Sequence, residues 1–316
     1  MKSKFSQKFS NFGPILNEMR ITVIGESNID ISVRREGPET GKGCSPADIR
    51  FFHGGVARNI AHNLCLLGHE VALATVFGDD DFAERMIAEC DTLGIDLALS
   101  ERYKNARSSI FLSFNDEVGR MQSALSDIAL NRYLNLDWIR DRIDVINRAD
   151  LVVADTLLSA EALTLLIDHS LVPLYLDAVS PNRALLLNEA LKNSWKKSFQ
   201  ALKCNLAEAQ AMTGANTADE AAKILLSKGI KEVYLTLGED GVCYADKKGC
   251  LHFPAVEAEA LNVMGSGDAF FAGVIHAHTN GHIGKDAVLF GTKAAQHNIK
   301  NEAPVNPTLR VDIFKD

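Results

Sequence analysis

Short apolar runs alternate with amphipathic stretches along most of this chain. The runs at 21–24, 70–76, 151–154, 174–176 and 233–237 have the length of buried strands, whereas 56–67, 80–93, 159–170, 206–213 and 218–228 repeat their apolar residues at helical spacing. Short strands at 241–245 and 250–253 follow, then two helices at 267–280 and 284–300 whose apolar faces suit packing on a sheet. A helix after each strand makes successive strands parallel and covers both faces of their sheet. The pattern predicts an α/β fold with a mostly parallel central sheet flanked by helices.

Two stretches break the rhythm. Residues 31–53 are polar and Gly-rich ahead of an extended 49–52, and 108–114, Asn115-Asp116-Glu117-Val118-Gly119 and 120–125 read as a hairpin with its turn. Together they predict a small β-sheet lid, built from about 31–53 and 107–125, over a cleft. Closing such a lid excludes water from the chemistry beneath it. With no internal repeat or interdomain linker, 19–316 reads as one domain, and 1–18, with Lys2, Lys4 and Lys8 among Phe5, Phe9 and Phe12, as a flexible N-terminal extension.

Composition narrows the function classes. A chain of 316 residues, 47% hydrophobic and 23% charged, is an ordinary globular sequence, and its net charge of -8 argues against a nucleic-acid or anionic-membrane surface. Six cysteines, Cys44, Cys65, Cys90, Cys204, Cys243 and Cys250, show neither a C-x-x-C pair nor a His at zinc-ligand spacing and read as reduced thiols. No apolar run approaches the ~20 residues of a membrane span, so the expected location is cytoplasmic.

The chemistry concentrates at Asn262-Val263-Met264-Gly265-Ser266-Gly267-Asp268 and the apolar run that follows. Small residues at Gly265–Gly267 let backbone amides converge on an anion at a helix N-terminus. A carboxylate there opposes phosphate binding unless it takes a proton from a hydroxyl about to attack that phosphate. Alone, the segment is equally a loop with an acidic helix cap. Neither a P-loop nor a dinucleotide G-x-G-x-x-G is present, which disfavours a nicotinamide oxidoreductase.

Four further segments decide between these readings. Gly25-Glu26-Ser27-Asn28-Ile29-Asp30 closes the first strand, Gly54-Gly55-Val56-Ala57-Arg58-Asn59 leads from the lid into a helix, Asn205-Leu206-Ala207-Glu208 follows a strand ending at Lys203, and Thr236-Leu237-Gly238-Glu239-Asp240-Gly241 leaves another strand. In this order, from Met19 to Pro304, the set resembles the ribokinase-like, or PfkB-type, family of sugar and nucleoside kinases.

The resemblance implies a ribokinase-like three-layer fold and ATP-dependent transfer of phosphate to an alcohol. Asp268 would be the general base, with the amides of Gly265, Ser266 and Gly267 stabilising the transferring group. Asn28, Asp30, Gly54, Gly55 and Asn59 would hold the sugar; Thr236, Gly238 and Gly241 would form the nucleotide turn, with Ala295 and Asn298 at the adenine. Asn205 and Glu208 would organise Mg²⁺ through its waters; for that pair alone an acidic helix start is the more common explanation, and the other motifs reverse the preference. Asn262 stands where the family commonly has Asp, which puts a K⁺ site in doubt.

His53 and Arg58 read as structural, the latter on a helix surface or in an ion pair. Within the family, Glu26–Asp30, Gly54–Ala61, Val152–Asp155, Leu176–Ser180 and Asn262–Gly265 are most similar to pseudouridine kinases, which implies the 5′-hydroxyl of pseudouridine as acceptor. Ribose, another nucleoside or another sugar is the alternative, and a catalytically silent nucleotide sensor a second one. The lid hairpin, including Ser108 and Ser109, would face the base, and a homodimer through lid strands is a further expectation from the family.

Overall fold

The computed structural model describes residues 19–37, 46–117, 121–256 and 260–315. The expected extension at 1–18, Cys44 and the hairpin turn at 118–120 lie outside the described residues. From the start of the described chain come β1 (Arg20–Ile24), β2 (Asn28–Arg35), β3 (Ala47–Gly54), α1 (Val56–Leu66), β4 (Glu70–Ala74), β5 (Val76–Phe77), α2 (Asp81–Leu93), β6 (Glu101–Arg102), β7 (Ser109–Asn115) and β8 (Met121–Asp127). The short helices α3 (Leu136–Arg140) and α4 (Ile143–Ile146) lead to β9 (Leu151–Asp155), α5 (Ala160–His169), β10 (Leu174–Asp177), α6 (Pro181–Asn193) and β11 (Phe199–Asn205). The remainder is α7 (Leu206–Thr213), α8 (Ala218–Ser227), β12 (Ile230–Thr236), β13 (Val242–Asp246), β14 (Gly249–Phe253), α9 (Ser266–Thr279) and α10 (Lys285–Asn298).

Eight strands form the main sheet in the order β14-β13-β12-β11-β10-β9-β1-β4. The six from β12 to β4 are parallel, while β13 and β14 add an antiparallel edge. Strand periodicity splits each buried run between two cores. Val152 and Ala154 of β9 join Leu163, Leu187, Ala209 and Leu225 beneath α5–α8, whereas Leu151 and Val153 join Leu64, Phe271, Ile275 and Ala294 beneath α1, α9 and α10. The expected three-layer α/β arrangement is present.

A second sheet, β3-β2-β7-β8, carries the segments expected to form the lid. Its content differs from the sequence reading at one place. Asn28–Asp30 opens β2 instead of closing β1, because Gly25, at φ 147°, turns the chain and residues 28–34 then pair with both β3 and β7. The polar 31–35 is strand for the same reason: a small sheet with an exposed face needs no apolar run.

Two further differences have local causes. The run at 70–76 breaks after Ala74, since the Thr75 amide donates to Ser100 Oγ and Val76–Phe77 turns away to pair with β6. Helix α6 is absent from the periodicity reading, although Ser180-Pro181, with Pro at the helix start, is a legible signal for it.

Candidate active site

Strand register assembles the site. Asp155, at the carboxyl end of β9, stands beside Asp177 of β10, which stands beside Lys203 of β11; further out, Asn205 pairs with Thr236 of β12. Polar side chains therefore line the carboxyl edge of a parallel sheet, the edge where such folds bind ligands.

Each carboxylate is held by specific donors. Asp155 accepts the amides of Glu26 (2.8 Å) and Leu157 (2.9 Å), and Gly25 must lack a side chain because a Cβ there would sit 2.2 Å from that carboxylate. Burial pushes the Asp155 carboxyl up to about 7 against these amides, and burial likewise carries Glu26 to about 7 against a bond from Asn131. Asp177 accepts the Val179 amide at 2.9 Å. Val179 itself has φ 62°, a strained conformation for a β-branched residue, locked directly beside the site.

Lys203 Nζ lies 3.0 Å from Asp177 Oδ2 and 3.3 Å from Oδ1, and both residues are buried. Burial opposes its charge, but Asp177, Glu208 and Asp268 together outweigh that and hold Lys203 above the ordinary lysine range. A Cβ on Gly267 would lie 2.9 Å from Lys203 Nζ, so the ammonium group and the start of α9 are in direct contact.

Gly265 begins α9 in the left-handed region, φ 71°, and a Cβ there would meet the Pro304 carbonyl at 2.0 Å. The cradle is displaced from the one the sequence suggested. The Ser266 amide already donates to the Val263 carbonyl at 3.2 Å, whereas among the described residues those of Gly265, Gly267 and Asp268 make no such bond. Three amides, not a continuous run ending at Gly267, are left facing the helix end.

Asp268 is buried and accepts a 2.8 Å bond from Asn59 Nδ2. Burial raises its carboxyl to about 7; Lys203 and the Asn59 bond work against the rise, while Asp177 and Asp155 add to it. Arg58 fixes the orientation of Asn59: it is 2% exposed, donates to Asn59 Oδ1 (3.4 Å) and the His53 carbonyl (3.1 Å), and pairs with Glu89. With the amide oxygen held by Arg58, the Asn59 NH₂ points at Asp268. The surface position expected for Arg58 is wrong, and the ion pair is right.

Of the expected sugar-holding residues, Asn28 and Gly54 meet at the Asp30 carboxylate, while Asn59 meets Asp268. Asn28 Nδ2 donates to Asp30 Oδ1 at 3.0 Å, and a Cβ on Gly54 would strike the Asp30 carboxylate at 2.2 Å. Gly55, at φ 96°, allows the Glu26 carbonyl within 2.4 Å of where a Cβ would stand. Burial raises Asp30 to about 7, eased by Asn28 and increased by the charge of Asp268. The guess that Ser108 faces a ligand fails, since its hydroxyl donates to Asp80 Oδ1 at 2.6 Å.

Asn205 and Glu208 form a capping box: the Asn205 amide and Nδ2 donate to Glu208 Oε2 (2.8 Å) and Oε1 (2.7 Å), and the Glu208 amide donates back to Asn205 Oδ1 (2.9 Å). Each carboxylate oxygen keeps a lone pair for a metal-bound water, so the donor set fits Mg²⁺ held through its waters. Gly238 and Gly241 flank a tight turn after Thr236, where a Cβ on Gly241 would meet the Phe253 carbonyl at 2.0 Å.

Ala295 packs against the core beneath α9 and α10. Asn298 is not free for adenine: both amide hydrogens go to the Met264 (3.2 Å) and Pro304 (3.1 Å) carbonyls, and its oxygen accepts the Asn306 amide. Asn262 likewise donates to the Glu302 carbonyl. These amide groups brace their loops through their own hydrogen bonds.

Lys203, Asp177, Asp155 and Asn131 were not anticipated as site residues. The available signal was a charged residue at or near the end of an apolar, buried strand, as at Asp155, Asp177 and Lys203.

The profile of the pfkB family of carbohydrate kinases matches residues 19–310. The chain is 28% identical to the pseudouridine kinase of Escherichia coli (strain K12) over 298 residues, 92% of this chain and 94% of that protein. It is also 28% identical to an uncharacterized sugar kinase of the same strain over 310 residues, 95% of this chain and 84% of that protein. A solved carbohydrate kinase from Agrobacterium tumefaciens superposes with a TM-score of 0.78 at 25% identity, covering 94% of this chain and 96% of that one.

Proposed function

The chain belongs to the pfkB family of carbohydrate kinases, and on that premise we propose that this ATP-dependent phosphotransferase phosphorylates the 5′-hydroxyl of pseudouridine. The observation that carries the reading is Asp268, a buried carboxylate oriented by Asn59 beside the free amides at the start of α9. The likeness to the Escherichia coli pseudouridine kinase supports the choice of acceptor.

In the proposed reaction, Asn28 and Asp30 hold the ribose hydroxyls and present the 5′-OH to Asp268. The carboxylate takes the proton as the hydroxyl oxygen bonds to the terminal phosphorus of ATP, and the bond from that phosphorus to the bridging oxygen breaks, releasing ADP. The amides of Gly265, Gly267 and Asp268, the helix dipole and Lys203 stabilise the charge on the phosphoryl oxygens. Magnesium, when bound, neutralises phosphate charge, and Asn205 and Glu208 would hold it through water. No step is assigned to a monovalent cation.

The small sheet serves as the lid, since β2 carries Asn28 and Asp30. Ile49, Phe51, Met121 and Leu125 of that sheet are exposed. Their exposure supports a homodimer through the lid.

Two measurements test the reading. ADP release with Mg²⁺-ATP is expected to be at least ~10-fold higher in kcat/KM for pseudouridine than for uridine, adenosine or ribose. Preference for ribose would overturn the acceptor, and no acceptor-dependent release would favour the silent sensor. Because Asp268 acts only when ionised, and its carboxyl sits near about 7, kcat/KM should fall about tenfold per pH unit below that value and level off above it. A profile flat down to about pH 5 would remove Asp268 as the base.

A further inference from the structure

Far along the chain from the catalytic carboxylate, β13 and β14 bring together side chains whose chemistry belongs to metal binding. Cys243 is directly opposite His252, and Ala245 opposite Cys250, so Cys243, Cys250 and His252 share one face of this antiparallel edge. Helix α8 packs on that face with Asp219 in its first turn. Asp219 Oδ1 lies 3.8 Å from Cys243 Sγ and 2.6 Å from His252 Nε2, and Cys250 Sγ lies 3.9 Å from the Asp219 carbonyl oxygen.

The ligand atoms of Asp219, Cys243 and Cys250 all lie within 4.8 Å of one another. A tetrahedral zinc ion spaces thiolate, imidazole and carboxylate donors about 3.3–3.8 Å apart, so these three need a small contraction, while His252, which meets the group through its 2.6 Å contact with Asp219, must open from that carboxylate to become the fourth ligand. We propose that Cys243, Cys250, His252 and Asp219 form a structural site for a thiophilic divalent ion, zinc by its ligand set, that pins the β13–β14 edge to the start of α8.

Several observations fit this assignment. The site grades from the buried Cys243 through the half-buried Cys250 to the half-exposed Asp219 and His252, which leaves a path for the ion from solvent. Two thiolates and a carboxylate suit a dication, and Lys223, whose charge acts on both Asp219 and Cys250, offsets the remainder. A disulfide is the poorer fit, because Cys243 and Cys250 are diagonal and not opposite, and diagonal positions stand about 7–8 Å apart.

The consequence for the fold is local. Cys243 follows the Gly238–Gly241 turn by two residues, so an ion here would stiffen the hairpin that continues from that turn. The inference stands on these four side chains alone and not on the acceptor or the base.

The test uses the full chain, reduced and stripped with a chelator, then titrated with Co²⁺ and afterwards Zn²⁺. The expected result is one equivalent of cobalt with thiolate charge-transfer bands and tetrahedral ligand-field absorption, displaced by zinc. C250S and C243S should each weaken zinc binding at least about 100-fold, and H252A by about tenfold or more, since even an outer partner of a ligand is worth about 10–100-fold. C44S and C65S should leave it unchanged. Circular dichroism of each variant checks folding, and the partly exposed Cys250 and His252 keep the test open should C243S not fold. A weak octahedral cobalt spectrum, zinc affinity unchanged in C250S and H252A, or ready air oxidation to a Cys243–Cys250 disulfide without metal uptake would overturn the proposal.

Discussion

Replacing Asp268 by Asn should lower acceptor phosphorylation at least ~100-fold while changing ATP affinity little. The amide keeps the shape of the carboxyl and can still meet Asn59, but it cannot take the proton of an attacking hydroxyl. Removing a negative charge from beside the amide cradle, if anything, favours the nucleotide. Stability should move the other way. Asp268 has its carboxyl raised by burial to about 7, so its favourable contribution is complete below the ordinary carboxylate range and is lost as pH rises through that value. An asparagine does not titrate. D268N should therefore gain stability relative to the unmodified chain between about pH 4 and 7, by on the order of a few kcal/mol, and then hold that gain. Urea unfolding of both proteins across this range checks the sign, and a difference that stays flat would contradict the buried ionisation.

Replacing Lys203 by Met should destabilise the fold by about 3–5 kcal/mol, the cost of leaving one half of a buried ion pair unmatched. Asp177 is fully buried and keeps only the Val179 amide once the 3.0 Å ammonium contact is gone. The exposed pair Arg140–Asp137, by contrast, contributes at most about 1 kcal/mol. The double variant K203M/D177N should recover much of the loss, because no uncompensated charge is then buried. A shift of the urea midpoint at unchanged slope measures both effects. A K203M protein within about 1 kcal/mol of the original would show that water or another group already screens Asp177.

Most of the architecture was written in the hydrophobic pattern. The alternation of apolar runs and amphipathic stretches located the parallel strands and covering helices, because the parallel strands are buried on both faces and most helices on one, with α9 buried nearly all round. It misjudged Asn28–Asp30, where a turn at Gly25 moves polar residues into the small sheet, and it passed over α6. The site was legible where backbone chemistry constrains composition: Gly54, Gly55 and Gly265 are glycines because a carboxylate or carbonyl fills the space of a Cβ.

What the sequence hid depends on register. Nothing local to Lys203, Asp177 or Asp155 says that three neighbouring strands align them, since residues 26 and 22 positions apart meet only when the sheet forms. The cysteines were equally opaque. Cys243, Cys250 and His252 lack the usual zinc spacing, and only antiparallel pairing places them on one face beneath Asp219.

The central claim is that the carboxylate at the start of α9 deprotonates an alcohol for attack on ATP. Single-turnover transfer of labelled terminal phosphate to pseudouridine, compared between the unmodified chain and D268N with both saturated in Mg²⁺-ATP, tests it most directly. The account predicts rapid formation of phosphorylated pseudouridine by the former, and formation at least ~100-fold slower by D268N with nucleotide affinity retained. Transfer by D268N within a few-fold of the unmodified rate would contradict it.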